Sequence, residues 1–325
     1  MADVACSIVV SNWNGRADLE RCLPCLAAQT FADHEVIVAD NGSTDGSLEL
    51  VREHFPGVRV LELGANLGFA TANNRGFEAA GGHYIALLNN DTEPAPTWLA
   101  ELVACLERHP EAASATSKMV LFEPAGAVDG AGDIVDWSFL PAPRGHGEPD
   151  EGQYEDEVEV FSASGGAALW RGDVLRQLDG FDEEFFIYYE DVDLGFRARQ
   201  LGFTCWYAPR SVVRHRRGAA TKGLSVFELF HPIKNRWFLI GKNVPASLLL
   251  RRLRAIAGGE LVWWHRARAS GHLGAVGSAY WTVLGSLPRI LRQRRAIARS
   301  RTLDEAAIDR LLSRRWGGTP PVGRA

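Results

Sequence analysis

The first 120 residues alternate between two kinds of hydrophobic pattern. Short, mainly apolar runs have the length of strands buried on both faces: "CSIVVS" (6–11), "EVIVAD" (35–40), "VRVLEL" (58–63) and "HYIALL" (83–88). Longer stretches between them carry helical spacing. "RADLERCLPCLAAQ" repeats at Leu19, Cys22, Leu23 and Leu26, with a kink expected at Pro24. "NGSTDGSLELVREHF" opens with a turn and offers Ser43 or Thr44 as helix cap. "FATANNRGFEAAGG" and "TWLAELVACLERHP" read as two further helices.

Strands alternating with helices at this spacing predict an α/β fold with a mainly parallel, doubly wound sheet. Ligands of such sheets collect at the C-terminal strand ends. Three of those ends are polar: Ser11-Asn12, Asp40-Asn41 and Asn89-Asn90-Asp91. Residues 121–160 lose all period and are rich in Gly, Pro and acid, which predicts a long, partly mobile excursion. A helix is expected over "EDVDLGFRARQLG" (190–202) and a strand over "FTCWYAP" (203–209). From about 225 the pattern is helical, giving expected regions of 1–224 and 225–325.

Charge divides the chain more sharply than its net −5 suggests. Residues 1–240 hold 19 Lys and Arg against 36 Asp and Glu; residues 241–325 hold 16 against 4. A basic tail with Trp263 and Trp264 beside Arg266 and Arg268 suits an interfacial helical region on an anionic membrane; a solvated helical cap is the alternative. Removing 241–325 is then expected to release the chain from membrane. The most apolar stretch, 271–288, carries four glycines and is a poor spanning helix. The N-terminus lacks a basic region ahead of its first strand, so a cytoplasmic location is expected. Five irregularly spaced cysteines argue against a disulfide framework, and Cys22-x-x-Cys25 falls inside a helix, as two structural thiols would.

Four positions carry candidate chemistry. Asp91, with amide neighbours, either completes a turn or holds Mg²⁺ or Mn²⁺ alongside substrate phosphates. Asp40 either caps a turn or accepts a hydrogen bond from a ligand such as the N3–H of a pyrimidine. Glu190, Asp191 and Asp193 either complement a helix dipole or supply a desolvated general base; Arg197 is placed to pair with Asp193, leaving Asp191 for a cleft. His215, within "RHRRG", is a surface loop residue or a metal or phosphate contact.

Six ordered motifs together resemble a family-2 glycosyltransferase of the GT-A type over residues 5 to about 240. They are "VVSNWNG", "VIVADNGSTDGS", "NLGFATANNRG", "YIALLNNDTEP", "GGAALWRGDVLRQLDGFDEEFFIYYEDVDLGFRARQLGF" and "VVRHRRG". Within the family the chain is most similar to bacterial rhamnosyltransferase-like enzymes of envelope polysaccharide synthesis. The resemblance implies that Asp40 reads the base and that Asn12 and Trp13 contact it. It further implies that Asn66, Gly68, Asn74 and Asn90 line the nucleotide pocket. It implies metal ligation by Asp91 with His215, and Asp191 as catalytic base with Glu190 beside it. Asn89 replaces the first Asp of the family's D-x-D motif, which weakens the expected metal site. The implied donor is a dTDP- or UDP-sugar, with dTDP-rhamnose favoured. The implied acceptor is a glycan or a polyprenyl-diphosphate lipid at the inner membrane face, and no nucleic acid is expected. A nucleotidyltransferase would need a Gly-rich phosphate loop after the first strand, where "SNWNGRADLERCL" stands. A non-catalytic nucleotide-sugar-binding scaffold is the remaining alternative.

Overall fold

The structure, a computed structural model, describes residues 4–217 and 225–312. The first part of the chain runs β1 (Cys6–Asn12), α1 (Arg16–Ala27), β2 (His34–Asp40), α2 (Ser47–His54), β3 (Arg59–Glu62), α3 (Phe69–Ala79) and β4 (Tyr84–Asn89). It continues through β5 (Thr92–Pro94), α4 (Trp98–Arg108), β6 (Ala112–Leu121), β7 (Val128–Gly130), β8 (Asp133–Val135), β9 (Pro141–Pro143) and β10 (Val158–Glu159). Then follow β11 (Ala167–Arg171), α5 (Gly172–Gln177), α6 (Glu190–Gln200) and β12 (Thr204–His215). Five helices end it: α7 (Val226–Asn243), α8 (Ala246–Ala269), α9 (Leu273–Gly285), α10 (Leu287–Ser300) and α11 (Glu305–Leu311).

The main sheet is ordered β10-β12-β6-β11-β4-β1-β2-β3. β1 to β4 pair in parallel and β12 runs parallel to β6; β1, β2 and β4 are mainly buried apolar runs, whereas β3 is the edge strand, with Arg59 and Glu62 exposed. β11 enters antiparallel between β4 and β6, so the sheet is mixed. Alternate residues of β1 serve two cores. Ile8 and Val10 meet α1, α2 and α4 on one face, while Val9 meets α3, α5 and α6 on the other. Parallel register sets Asn12 opposite Asp40 and Ser11 opposite Asn89, so the polar strand ends form one edge.

Several expectations change. α1 runs from Arg16 to Ala27 as one helix with Pro24 inside it. α2 starts at Ser47 behind Gly46, whose φ is 84°; Asp45 accepts from the Ser47 amide, and neither Ser43 nor Thr44 is the cap. Residues 121–160 are built structure, with β7 on the main sheet, the β8–β9 pair, and buried Val128, Ala131, Val135 and Phe139. Cys22 is buried and Cys25 half-buried, both as free thiols on α1.

The C-terminal helices share a core with the sheet domain. Val135, Phe139, Phe161, Val192 and Phe196 pack with Leu239, Ile240, Val244, Leu248, Ile256 and Ile308. Part of the basic charge of the C-terminal helices is also internal. Arg289 and Lys242 reach Asp182 at 2.9 and 2.7 Å, Arg252 grips Asp309 with both nitrogens, and Arg236 pairs with Glu260. Deleting 241–325 would therefore strip Phe139 and Phe196 of their neighbours and cannot report on membrane release alone. No helix among the described residues is long and apolar enough to cross a membrane.

A chain ending at residue 245 should aggregate on expression. Leu239→Ala should cost about 3 kcal/mol in urea unfolding while keeping a single transition, because one core spans both regions. Two separate transitions would show that the regions fold independently.

Candidate functional site

The edge where β1, β2 and β4 end is a hydrogen-bonded relay. Asn90 Nδ2 donates to Asn12 Oδ1 at 2.7 Å, and Asn12 Nδ2 donates to Asp40 Oδ2 at 2.9 Å. Asp40 is only 1 % exposed. It also accepts from the Gly42 and Ser43 amides and from Ser43 Oγ. Those four bonds fill its lone pairs, so its position in this structure is that of a turn organiser. Gly15 allows the relay to form, since a Cβ there would lie 2.1 Å from Asn90 Nδ2. Trp13 stands beside the relay with its ring 52 % exposed.

The loop after β3 closes against this edge. Asn41 accepts from the Leu67 amide and donates to the Gly68 carbonyl, while Asn66 accepts from the Gly68 amide. Gly68 has φ +90°, and a Cβ on it would meet the Phe186 ring at 2.5 Å. Asn74 is placed elsewhere. Its amide donates to the Phe181 carbonyl and to Glu183, and its oxygen accepts from the Phe181 amide. It fastens α3 to the segment before α6, and its polar atoms are engaged there and not in a nucleotide pocket.

Asp91 follows β4 directly, and β5 pairs with the end of β12 so that His215 lies opposite Thr92. Asp91 Oδ1 is 3.1 Å from His215 Nε2, and His215 Nδ1 is 2.6 Å from Asp129 Oδ2. Burial opposes charge on the imidazole, but hydrogen bonds to Asp129 and Asp91 outweigh it and raise His215 to about 9. Asp129, from β7, is buried as well. His146, His215 and Arg217 hold its carboxyl far below the usual range despite burial. An imidazole ordered by one carboxylate and facing another is a donor set that suits a divalent cation. The side-chain amide nitrogen of Asn89 lies beside Gly166, next to this group. Gly218 of the "VVRHRRG" motif lies outside the described residues.

The acidic end of α6 faces the same edge. Asp191 Oδ2 accepts from the Gly165 amide at 2.8 Å and Oδ1 from the Val192 amide. Gly166, the next residue, accepts from the Asn89 amide, which joins Asp191 to the end of β4 through two glycines. Burial raises the Asp191 carboxyl, and its backbone donors only partly offset this. Asp133, on β8, is buried with a hydrogen bond from Ser162 Oγ; burial and the nearby Asp191 raise it well above the carboxylate range. Glu190 is buried too. Its Oε2 has no hydrogen-bond partner, and burial and Asp191 push it well up, toward the neutral acid. Asp193 pairs with Arg197 at 2.9 Å.

Comparison with known proteins places the chain in a family. The model of "Glycosyl transferase family 2" matches residues 7–175. The chain belongs to glycosyl transferase family 2. The N-acetylglucosaminyl-diphospho-decaprenol L-rhamnosyltransferase of Mycobacterium tuberculosis is 32 % identical over 244 residues, covering 68 % of this chain and 78 % of that protein. The O-antigen biosynthesis protein RfbC of Myxococcus xanthus is 30 % identical over 233 residues, covering 68 % of this chain and 18 % of its own. A mannosyltransferase of Pyrobaculum calidifontis in complex with GDP-Man and Mn²⁺ superposes with TM-score 0.55 at 18 % identity, over 96 % of this chain and 88 % of that one. GalNAc-T7, with UDP, GalNAc and Mn²⁺, gives TM-score 0.59 at 20 % identity, over 74 % of this chain and 48 % of that one. These structures show the GT-A fold.

Several residues that support this candidate site escape a reading of the sequence. Asp129 and Asp133 come from the excursion, where they look like two more acids of a polar loop. Asn235 on α7 is fully buried and donates to the carbonyls of Phe185, Ile187 and Tyr188. Phe186, Tyr188 and Tyr189 all have φ near +70°, a conformation that costs about 1–3 kcal/mol per residue and needs such anchoring. A further grouping, Cys105, His109 and Glu157, lies at the far end of α4, away from the strand ends. There Glu157 is already held by Arg108 and His109.

Asn235→Ala should lower stability by about 2–3 kcal/mol in chemical denaturation by releasing the 185–189 segment. His215 should give stability its own pH signature. Its folded value lies above the ordinary 6.5, so its contribution is complete below pH 6.5 and lost as pH rises through about 9. Urea unfolding of metal-free protein at several pH values should show that loss in wild type and not in His215→Gln. Parallel curves would refute it.

Proposed function

We propose that this family-2 glycosyltransferase moves a sugar from a pyrimidine nucleoside diphosphate donor to an acceptor hydroxyl with inversion at the anomeric carbon. L-Rhamnose from dTDP-rhamnose is the favoured sugar, and UDP-sugars are the second choice. Similarity to the mycobacterial rhamnosyltransferase supports the sugar and an acceptor carried on polyprenyl diphosphate. The product is a cell-envelope polysaccharide precursor, built on the cytoplasmic side with the chain peripheral on the inner leaflet.

The observation that carries this reading is the link from Asp191 through Gly165 and Gly166 to the strand end bearing Asn89, Asn90 and Asp91. It sets a carboxylate with a raised pKa beside the place where a diphosphate would lie. The base would rest at Asn12, Trp13 and the turn headed by Asp40, with Asn66 and Gly68 closing over the ribose. For Asp40 to accept the base N3–H, one bond from Ser43 or Asn12 has to be exchanged for it. Asp91 and His215 would hold Mg²⁺ or Mn²⁺, with Asn89 as a weaker amide ligand. Bound there, the cation supplies positive charge for the diphosphate.

Asp191 then takes the acceptor's hydroxyl proton while the oxygen bonds to the anomeric carbon. The bond from that carbon to the diphosphate oxygen breaks, and the nucleoside diphosphate leaves with the electron pair. Asp133, which is buried, and Asp191, which is half-buried, divide the protons between them. Asp133, with one hydroxyl donor, keeps its proton, whereas Asp191, with two backbone N–H donors, ionises first. Glu190 stays neutral behind it.

Asp191→Asn should lower the transfer rate by about 10²–10⁴-fold while the melting-temperature rise with dTDP is kept. An active Asp191→Asn, or no stabilisation of wild type by dTDP or UDP, would overturn the assignment. Metal binding must displace the His215 proton. Apparent Mn²⁺ affinity should therefore rise with pH up to about 9 and lose this dependence in His215→Ala, as read by calorimetric titration.

A further inference from the structure

α8, α9 and α10 turn an unusual surface outward. On α8 the exposed positions Leu250, Arg254, Ala257, Leu261, Trp264 and Arg268 recur at alternating steps of four and three, which is one stripe of the helix. The opposite face carries the buried Leu248, Ile256, Gly259, Trp263 and Ala267. α8 is therefore apolar on both sides, and packing among the described residues accounts for only one. α9 behaves likewise. Ala275, Val276 and Ala279 are buried, while Leu273, Trp281 and Leu284 face out, Trp281 with 78 % of its surface exposed. Leu287 and Leu291 extend the exposed apolar surface onto α10.

Trp264 and Tyr280 join α8 to α9, with the indole N–H donating to the Tyr280 hydroxyl. The apolar side chains thus form one patch across packed helices, a feature that marks an interaction site. Residues 246–300 hold ten Arg and a single acid, Glu260. Glu260 is turned inward, taken by Arg236 and Tyr280. Arg251, Arg254, Arg268, Arg292, Arg295 and Arg299 stay exposed.

Charge selects the occupant. A second copy of this face would oppose arginine to arginine, with no exposed acid on these helices to relieve it. An anionic lipid surface satisfies both features, since it takes indole and leucine side chains at its acyl boundary and guanidinium groups at its headgroups.

Extending the proposed lipid-linked acceptor, we propose that the outer face of α8–α10 is a membrane-inserting surface, with Trp281, Leu284, Leu261 and Leu250 entering the interface and the exposed arginines gripping anionic headgroups. α7 lies directly behind this face, packed on α9 and α10. Its inner side holds Asn235 against the segment that leads into Asp191. Docking in this way brings the catalytic acid about one helix layer, roughly 10 Å, behind the membrane-facing helices. A sugar acceptor tethered to a lipid requires that proximity.

The full-length protein is mixed with vesicles of phosphatidylcholine alone or with phosphatidylglycerol added, and partitioning is read by sedimentation. Wild type should bind only the anionic vesicles at low salt. Arg292→Gln with Arg295→Gln should reduce the partition coefficient roughly 30-fold, and Trp281→Ser about tenfold. Each variant should keep the dTDP-induced melting shift, so failure of vesicle binding is distinguishable from failure of the donor site. No binding to anionic vesicles, equal binding to neutral ones, or a Trp281→Ser variant that binds like wild type would overturn the proposal. So would a wild-type dimer in sedimentation velocity that Trp281→Ser dissociates, which would give the face to a second copy.

Discussion

A carboxylate with no exposed surface must find cations and donors or lose its charge. Asp193 meets that requirement by accepting from Arg197, Lys242 and Asn243. The first is on its own helix; the other two are on α7. Lys242 continues to Asp182, which also takes Arg289 and Gln293 from α10, and this holds the Asp182 carboxyl below its ordinary range against burial. One buried acid thereby fixes α6, and with it Glu190 and Asp191, to the C-terminal helices. The segment bearing Glu190 and Asp191 is held between the sheet edge and α7, and removing either support would leave charges buried and unpaired.

The cleft depends on a second contrast, between acids kept ionised and acids kept neutral. Asp129 lies among His146, His215 and Arg217 and stays charged although buried. Asp133 and Glu190 lack cationic neighbours of that kind and rise toward the neutral form. The two environments meet at the ends of β1, β2 and β4. The charged set suits a cation and diphosphate, and the raised set suits proton transfer. Left-handed backbone at Phe186, Tyr188 and Tyr189 carries the chain around this corner, where a helix entered directly would point its acids elsewhere.

The surface of the C-terminal helices follows from the same packing. Internal pairing absorbs Arg236, Arg252 and Arg289, so the basic excess of the tail is only partly a surface property. What stays outside is apolar and basic together, the composition that the proposed membrane-facing surface needs.

Periodicity alone determined the four parallel strands, their helices and the polar edge shared by β1, β2 and β4, because inner strands buried on both faces must be apolar throughout and can turn polar only where they end. The pairing of Arg197 with Asp193 was likewise legible, being a fixed consequence of helical spacing. Tertiary structure alone decided which polar residues face the cleft. Asn74 and Asp40 look like ligand contacts in sequence, yet their atoms are engaged by Phe181 and Glu183 and by the turn after β2. Asp129, Asp133 and Asn235 look like ordinary loop and helix residues, yet Asp129 holds His215, Asp133 is raised by the charge of nearby Asp191, and Asn235 holds the segment before α6. Their partners lie 86, 58 and about 50 positions away along the chain. No local pattern encodes such contacts, because burial and charge pairing depend on which distant elements the fold brings together.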